Sequence, residues 1–288
     1  MRTSAPELPP TLLGRLANEA LAEDVGAGDV TTDLTVGAGA RGSGTVVARE
    51  PGVVAGLEVA RAVFIASDAG TEVEAKVRDG DRVDAEAELL RISGALRPIL
   101  RAERTALNFL QRLSGIATLT ARFVEAAEGT PARIVDTRKT TPGLRALEKY
   151  AVRCGGGRNH RFGLSDGFLL KDNHRAALEA AGRSLGEAIR DARSRLSHTV
   201  LLEVEVDDLE GLDEAIESGA DAVLLDNFAL EDLRAAVERT EGAALLEASG
   251  GITLETVEEV ARTGVDLISV GVLTHSAPAL DLSLELDR

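Results

Sequence analysis

The sequence contains few of the residues on which several classes of protein depend. Only one of its 288 residues is cysteine, Cys154, so the chain forms neither an internal disulfide nor a thiolate zinc cluster. Tryptophan is absent and aromatic residues make up 2% of the chain, which argues against stacking platforms for bases or sugars. A reducing cytoplasm is therefore the expected location.

Long apolar runs are also missing. The apolar stretch 53–66 is interrupted by Glu58 and Arg61, and the first eighteen residues mix prolines and charges with apolar residues. We therefore expect neither a transmembrane helix nor a signal peptide. Acidic residues outnumber basic ones by 48 to 32, and the resulting net charge of −16 argues against binding to nucleic acid or to an anionic membrane. The length allows one large domain or two modest ones.

The positive charge is concentrated in one part of the chain. Residues 136–175 hold nine cationic and only four acidic residues, together with His160 and His174. The nine are Arg138, Lys139, Arg145, Lys149, Arg153, Arg158, Arg161, Lys171 and Arg175. A local excess of cations on an acidic protein indicates a pocket for a small anion. A solvated basic helix face is the alternative.

The second half of the chain alternates short apolar runs with helical patterns. Strands are predicted at 132–136, 167–171, 200–206, 222–226, 244–248 and 267–270. Apolar strands separated by helices indicate a parallel sheet buried on both faces, in a barrel or an open doubly wound sheet. Repeats of about 22 to 24 residues and the lack of a Gly-x-Gly-x-x-Gly motif favour an incomplete (β/α) barrel.

The first hundred residues predict a smaller α+β domain with Gly-punctuated strands, followed by a long helix over 97–128. Arg101, Arg104, Asn108 and Arg112 lie on one face of that helix, where a solvated stripe is the simplest interpretation. We expect an N-terminal domain of residues 1–112, joined by the C-terminal segment 273–288, and a barrel domain of residues 113–272.

Polar residues follow most of the predicted barrel strands, where barrel enzymes build their active sites. Thr137, Arg138 and Lys139 follow the first strand, and Arg and Lys suit two different oxyanions. Three glycines at 155–157 precede His160 and Arg161, as expected where backbone approaches a ligand; a mobile surface loop is the alternative.

Acidic and glycine-rich strand ends complete this set. Glu203 and Glu205 share one face of a strand and Asp226 ends the next, so buried carboxylates that bind a divalent metal or ribose hydroxyls are expected here. Two tripeptides, Ser249-Gly250-Gly251 and Ser269-Val270-Gly271, end the last strands. Their backbone amides predict a phosphate site that His275 also contacts.

Together these motifs resemble the quinolinate phosphoribosyltransferase family. The similarity also includes Gly28-Asp29-Val30-Thr31-Thr32, Glu50-Pro51-Gly52-Val53-Val54-Ala55-Gly56, Ala102-Glu103-Arg104-Thr105-Ala106-Leu107-Asn108, Leu113-Ser114-Gly115-Ile116-Ala117-Thr118, Leu169-Leu170-Lys171-Asp172-Asn173-His174 and Leu225-Asp226-Asn227. The matching segments occur in order along essentially the whole chain.

The resemblance implies transfer of phosphoribosyl from 5-phosphoribosyl 1-diphosphate to the ring nitrogen of quinolinate. The products are nicotinate mononucleotide, diphosphate and carbon dioxide, in de novo NAD biosynthesis. It implies an N-terminal α+β domain, an incomplete α/β barrel, and Mg²⁺ on the diphosphate substrate. It also implies a homodimer in which Arg104 completes the site of the neighbouring subunit.

The resemblance implies a role for each site residue as well. Arg104, Arg138, His160, Arg161 and Lys171 would bind the quinolinate carboxylates, and Lys139 would face the diphosphate. Glu205 and Asp226 would stabilise the ribosyl cation and hold Mg²⁺ or hydroxyls, so that Lys139, Lys171, Glu205 and Asp226 form the catalytic set. The backbone of Ser249, Gly250, Gly251, Ser269, Val270 and Gly271 would bind the 5′-phosphate, with Thr137 and His275 nearby.

Two other interpretations remain open. One is a phosphoribosyltransferase-like protein of molybdenum transport loci, which has the same fold and another substrate. The other is a barrel that binds phosphorylated ligands without turnover, although the paired carboxylates at the strand ends argue against it.

Overall fold

The computed structural model describes residues 7–287. Residues 1–6 and 288, at the ends of the segments assigned from sequence to the N-terminal domain, lie outside the described part. The chain forms two compact units. The first comprises Met1–Ala121, Thr141–Gly156 and Ser276–Arg288, and the second comprises Arg122–Thr140 and Gly157–His275.

The elements alternate along the chain much as the sequence predicts. In chain order they are α1 (Pro10–Val25), α2 (Val30–Thr35), β1 (Arg41–Ala48), β2 (Gly52–Val53), α3 (Leu57–Ser67), β3 (Glu72–Ala75), β4 (Arg82–Val83), β5 (Glu88–Ala95), α4 (Leu96–Ala126), β6 (Arg133–Val135), α5 (Arg145–Cys154), β7 (Phe168–Leu170), α6 (Asp172–Ala180), α7 (Leu185–Arg195), β8 (Leu202–Val206), α8 (Leu209–Glu217), β9 (Ala222–Asp226), α9 (Leu230–Thr240), β10 (Leu245–Ser249), α10 (Val257–Ala261), β11 (Leu267–Ser269), α11 (Val272–His275) and β12 (Leu282–Leu286). Among residues 7–287, no helix is both long and apolar enough to cross a lipid bilayer.

The first unit is built around a four-stranded antiparallel sheet in the order β12-β1-β5-β3. The strand β12 pairs with β1, so the C-terminal strand belongs to this unit. The helix α4 follows the predicted periodicity, because Leu107 and Leu110 are buried in the core while Arg104 and Asn108 are exposed. Gly115 lets the helix pass close to the C-terminal segment, since a Cβ there would lie 1.9 Å from the carbonyl oxygen of Pro278.

The segment 141–156 lies in the first unit, although the sequence assigned it to the barrel domain. Its helix α5 buries one of its own faces in that unit. Tyr150 on this helix donates a hydrogen bond of 2.6 Å to Asp79, and Glu148 forms an ion pair with Arg112 at 2.9 Å. These partners come from distant parts of the chain, which a local pattern does not show. Three cations of the 136–175 window, Arg145, Lys149 and Arg153, are therefore in the first unit.

The second unit contains a six-stranded parallel sheet in the order β6-β11-β10-β9-β8-β7. Each strand from β7 to β11 neighbours the next in sequence, and β6 returns to the edge of β11, which is the winding of a barrel. The strands β6 and β7 do not pair. Instead the segment 157–161 runs along β6, and Arg158 exchanges backbone hydrogen bonds with Ile134 and Asp136. The predicted α/β class with an incomplete barrel and a smaller α+β domain is confirmed.

Candidate active site

The carboxyl ends of the barrel strands surround a cavity of about 450 Å³, called here the cation-lined cavity. It is lined by Thr137, Arg138, Lys139, His160, Arg161, Leu169, Lys171, Asp172, Glu205, Leu224, Asp226, Glu247, Ser249 and Ser269. All six barrel strands contribute to it, either directly or through the residue that follows the strand. The predicted meeting of polar strand ends is therefore present in the second unit.

A second cavity of about 460 Å³ shares five of these residues and is called here the glycine-turn cavity. Thr137, Lys139, Asp226, Ser249 and Ser269 line both cavities. The remaining lining residues are Asn227, Gly250, Gly251, Ile252, Thr253, Val270, Gly271, Val272 and His275. Two binding spaces thus adjoin along a shared wall that carries Lys139 and Asp226.

Asp136 differs from the other strand-end residues, because its side chain is fully buried and turned into the protein. Its carboxylate accepts hydrogen bonds from Asn159 Nδ2 at 2.5 Å and from the backbone N–H of His160 at 2.9 Å. These contacts hold Asn159 and His160, which follow the three glycines, beside β6. Asp136 therefore positions His160 and Arg161 and is not itself exposed to the cavity.

Two arginines face the cation-lined cavity at close range. Burial, and then the charge of Arg138, lower the pKa of Arg161. Arg161 is fixed by a hydrogen bond of 3.0 Å to the carbonyl oxygen of Gly167, whereas the buried Nε of Arg138 has no hydrogen-bond partner among residues 7–287. Two neighbouring guanidinium groups that repel each other would be stabilised by an anion between them.

The carboxylates of Glu205 on β8 and Asp226 on β9 form another part of the wall of this cavity. Lys171 Nζ pairs with Glu205 Oε2 at 2.7 Å. Burial, and then the charges of Glu205 and Asp207, raise the pKa of Asp226. This wall carries excess negative charge and offers only hard oxygen donors, which is the ligand chemistry that Mg²⁺ prefers. Glu205 and Asp226 therefore fit the divalent ion expected from the sequence.

Backbone turns rather than charges shape the glycine-turn cavity. Gly250 has φ of +95°, and a Cβ there would lie 2.1 Å from Asn227 Oδ1. The Asn227 N–H donates to the carbonyl oxygen of Ser249 at 2.9 Å, which fixes one turn against the next. Thr274 Oγ1 donates to the carbonyl oxygen of Lys139 at 2.7 Å, and this holds the Lys139 loop beside the turn at Gly271.

A buried cluster at the floor of the cation-lined cavity contains Glu203, which the sequence grouped with Glu205, and Glu247, which the sequence did not assign. His160 Nε2 lies 3.1 Å from Glu203 Oε2 and 3.5 Å from Glu247 Oε2. Burial, and then the charge of Glu203, raise the pKa of Glu247 to about 8. Glu247 is a charged residue inside the apolar strand β10, which was the available signal in the sequence.

The structure brings nearly all of the predicted site residues into these two cavities. Arg138, His160, Arg161, Lys171 and Glu205 line the first cavity, and Gly250, Gly251, Val270, Gly271 and His275 line the second. Arg104 lies on α4 in the first unit and lines neither cavity. The individual roles of these residues stay predictions.

The family models for the N-terminal and C-terminal domains of quinolinate phosphoribosyl transferase match residues 29–114 and 116–285. A relative from Mycobacterium leprae, nicotinate-nucleotide pyrophosphorylase [carboxylating], is 48% identical over 93% of this chain and 94% of its own length. The quinolinate phosphoribosyltransferase [decarboxylating] 2, mitochondrial, of Nicotiana glauca is 41% identical over 93% of this chain and 80% of its own.

A solved structure agrees with these matches. The nicotinate-nucleotide pyrophosphorylase from Francisella tularensis superposes with a TM-score of 0.91 at 39% identity and covers 100% of both chains.

Proposed function

The chain belongs to the quinolinate phosphoribosyltransferase family, and from this membership we infer how its site works. The enzyme transfers phosphoribosyl from 5-phosphoribosyl 1-diphosphate to quinolinate, with loss of diphosphate and carbon dioxide, and forms nicotinate mononucleotide for NAD biosynthesis. The observation that best supports the assignment of roles is the pair of adjoining cavities, one lined by cations and the other by glycine turns.

Quinolinate is a small dicarboxylate and fits the cation-lined cavity. Arg138 and Arg161 supply planar forks for carboxylate oxygens, and Lys171, which follows β7, supplies a compact charge. The repulsion between the two arginines is relieved when an anion binds, which favours occupancy by a dianion. His160 has its ring turned to Arg161 and Glu203, so in our proposal it orients Arg161 within the clamp.

The phosphoribosyl substrate occupies the glycine-turn cavity with its 5′-phosphate. Backbone N–H groups at Gly250, Gly251 and Gly271 approach that phosphate without side chains in the way. Lys139 lies on the wall shared by both cavities and faces the diphosphate, and His275 lines the glycine-turn cavity alone. The two substrates therefore meet at the wall formed by Lys139 and Asp226.

At that wall, Glu205 and Asp226 stabilise the positive charge that develops on the ribosyl carbon as diphosphate leaves. The same two carboxylates would hold Mg²⁺, which when bound neutralises charge on the diphosphate leaving group. Lys171 pairs with Glu205, so it keeps this carboxylate oriented while its charge faces the quinolinate side. Holding both reactants in line contributes on the order of several kcal/mol to the lowering of the barrier.

We infer a homodimer in which Arg104 of one copy enters the cavity of the other. Arg104 is exposed on α4 and forms no ion pair or hydrogen bond within residues 7–287. Exposed apolar side chains are available for burial between copies, at Val30 and Leu34 on α2 and at Phe162 and Leu164 beside Arg161. Exposed large apolar side chains favour an interface.

Hybrid dimers test the shared site. Arg104→Ala and Lys171→Ala proteins should each be inactive, whereas a one-to-one mixture should recover about a quarter of the normal activity, because half of the dimers are mixed and each has one intact site. Continued inactivity after demonstrated subunit exchange would contradict the exchange of Arg104.

We place the enzyme in the cytoplasm, where a single reduced cysteine is stable. The reaction itself is tested by incubating purified protein with quinolinate, 5-phosphoribosyl 1-diphosphate and Mg²⁺ and measuring nicotinate mononucleotide and carbon dioxide. We expect product only when both organic substrates are present, and much less when Mg²⁺ is omitted. Failure to form product with all three would overturn the assignment.

A further inference from the structure

The floor of the cation-lined cavity contains a cluster of His160, Glu203 and Glu247 for which the roles above give no account of Glu247. Its side chain is 1% exposed, and neither carboxylate oxygen has a hydrogen-bond partner among residues 7–287. Glu203 and His160 lie within 4.8 Å of it by their nearest ligating atoms. Two buried carboxylates cannot both remain charged at this separation without a large desolvation penalty. A metal ion or a proton must therefore neutralise the cluster.

The hydrogen bonds of the His160 ring indicate that a proton, and not a metal ion, neutralises the cluster. Its Nδ1 accepts a hydrogen bond of 2.7 Å from the backbone N–H of Arg161, so Nδ1 carries no hydrogen and Nε2 does. A histidine that binds a metal presents one bare nitrogen to the ion and donates from the other. The arrangement here is the reverse, because the nitrogen that faces the carboxylates is the protonated one.

The proton of the cluster belongs on Glu247. Glu203 accepts the N–H of His160 at the shorter distance, 3.1 Å, and is more exposed than Glu247. The groups facing the floor are Glu203 from β8, His160 and Arg161 from the segment 157–161, Arg138 after β6, Lys171 after β7 and Ser269 from β11. Burial and the charge of Glu203 raise the pKa of Glu247 to about 8, so near neutral pH the group is a carboxylic acid.

The decarboxylation step requires a proton. When the bond between C2 of the pyridine ring and its carboxylate breaks, carbon dioxide leaves and the electron pair stays on C2 beside the positively charged ring nitrogen. That carbon must then gain a hydrogen. Arg138, Arg161 and Lys171, which in our proposal bind the carboxylates of quinolinate, line the same cavity as Glu247.

We propose that Glu247 is the acid that protonates C2 after carbon dioxide is lost. The O–H bond of Glu247 breaks as the new C–H bond forms, and the resulting carboxylate regains a proton from solvent after the product leaves. This inference rests on the proposed function, because it assigns a step of that reaction.

The test is Glu247→Gln, which keeps the volume and a polar group but cannot donate an acidic proton. We expect kcat to fall about 10²- to 10³-fold, the usual contribution of a general acid, while the dissociation constant of quinolinate measured by calorimetry changes less than about threefold. The kcat of the unsubstituted enzyme should decline as pH rises through about 8, where Glu247 loses its proton, and this decline should be absent in E247Q. A kcat of E247Q within about threefold of the wild type would overturn the proposal, as would persistence of the alkaline decline.

Glu203→Gln supplies a second test in case E247Q folds poorly. Removing the negative charge of Glu203 lowers the pKa of Glu247, so the alkaline decline should move to lower pH, and an unmoved decline would contradict the proposal. Glu148→Gln, a change of a buried glutamate in the first unit, is the matched control and should keep the wild-type pH profile. If the unsubstituted enzyme forms no nicotinate mononucleotide, the proposed function itself fails. If the unsubstituted enzyme forms nicotinate mononucleotide and E247Q is fully active, only the assignment of Glu247 as the proton donor fails.

Discussion

The cation-lined cavity and the glycine-turn cavity offer an anion two physically different surfaces. In the first, guanidinium, ammonium and carboxylate side chains converge from separate strands, and burial shifts the pKa values of Arg161, Asp226 and Glu247. In the second, backbone turns at Gly250 and Gly271 provide the surface. Side chains can distinguish a planar dicarboxylate from other anions, whereas backbone N–H groups suit the phosphate found on many substrates. In the proposed division of the substrates, substrate choice therefore depends on the first cavity and anchoring on the second.

The largest expected effect comes from Arg138→Ala. Loss of one guanidinium from the clamp should weaken quinolinate binding about 10³-fold, or about 4 kcal/mol, because a buried charge pair loses one partner. The affinity for 5-phosphoribosyl 1-diphosphate should change less than about threefold. Arg138→Lys keeps the charge but lacks the planar guanidinium, so its affinity for quinolinate should lie between those of the wild type and Arg138→Ala. Calorimetric titration with each substrate checks this, and equal losses for both would show that the two cavities do not divide the substrates.

A smaller effect is expected on stability from Glu247→Gln. Because the folded pKa of about 8 lies above the ordinary value of 4.5, the folded wild type holds an extra proton between these pH values, and its stability falls as pH rises toward 8. The variant lacks this loss, so its free energy of unfolding relative to the wild type should increase by about 3 kcal/mol from pH 5 to pH 7.

Denaturant unfolding at several pH values measures this difference. Thr253→Ala, at a residue that lines only the glycine-turn cavity, is the control and should show the wild-type dependence on pH. A constant difference between E247Q and wild type would mean that Glu247 is already ionised in the folded protein.

The smallest effects separate two neighbouring glycines. Gly250→Ala combines a positive φ with a Cβ placed 2.1 Å from Asn227, whereas Gly251→Ala has φ of +60° and open space around its Cβ. We expect losses of about 2 kcal/mol and about 1 kcal/mol in the free energy of unfolding, respectively. G250A should also weaken binding of the phosphoribosyl substrate about tenfold, with quinolinate little affected. A weaker quinolinate affinity in G250A would show that the cavities are coupled.

Much of the fold followed from local patterns. Apolar runs separated by amphipathic segments predicted the barrel strands to within a few residues, since strand and helix periods are visible in a short window. The long helix α4 was predicted for the same reason. The placement of α5 was not, because Glu148 and Tyr150 find their partners at Arg112 and Asp79, far away in sequence.

The charge pattern illustrates the same limit at the site. Six cations of the 136–175 window lie in the second unit. Four of them line the cation-lined cavity, namely Arg138, Lys139, Arg161 and Lys171. Asp136, a strand-end acid like Asp226, turns instead into the protein to hold Asn159 and His160. Position along the chain does not distinguish these two acids, since each ends or follows a barrel strand.

The sequence alone determined the class of fold, the family and the residue types that meet at the strand ends, because these depend on periodicity and on motifs of a few residues. Only the tertiary structure decided which of those residues share a cavity and which carry a proton. The raised pKa of Glu247 requires burial and the charge of Glu203 from another strand, and the tautomer of His160 requires the N–H of Arg161. Electrostatic interactions depend on distance in space, which the order of residues does not specify.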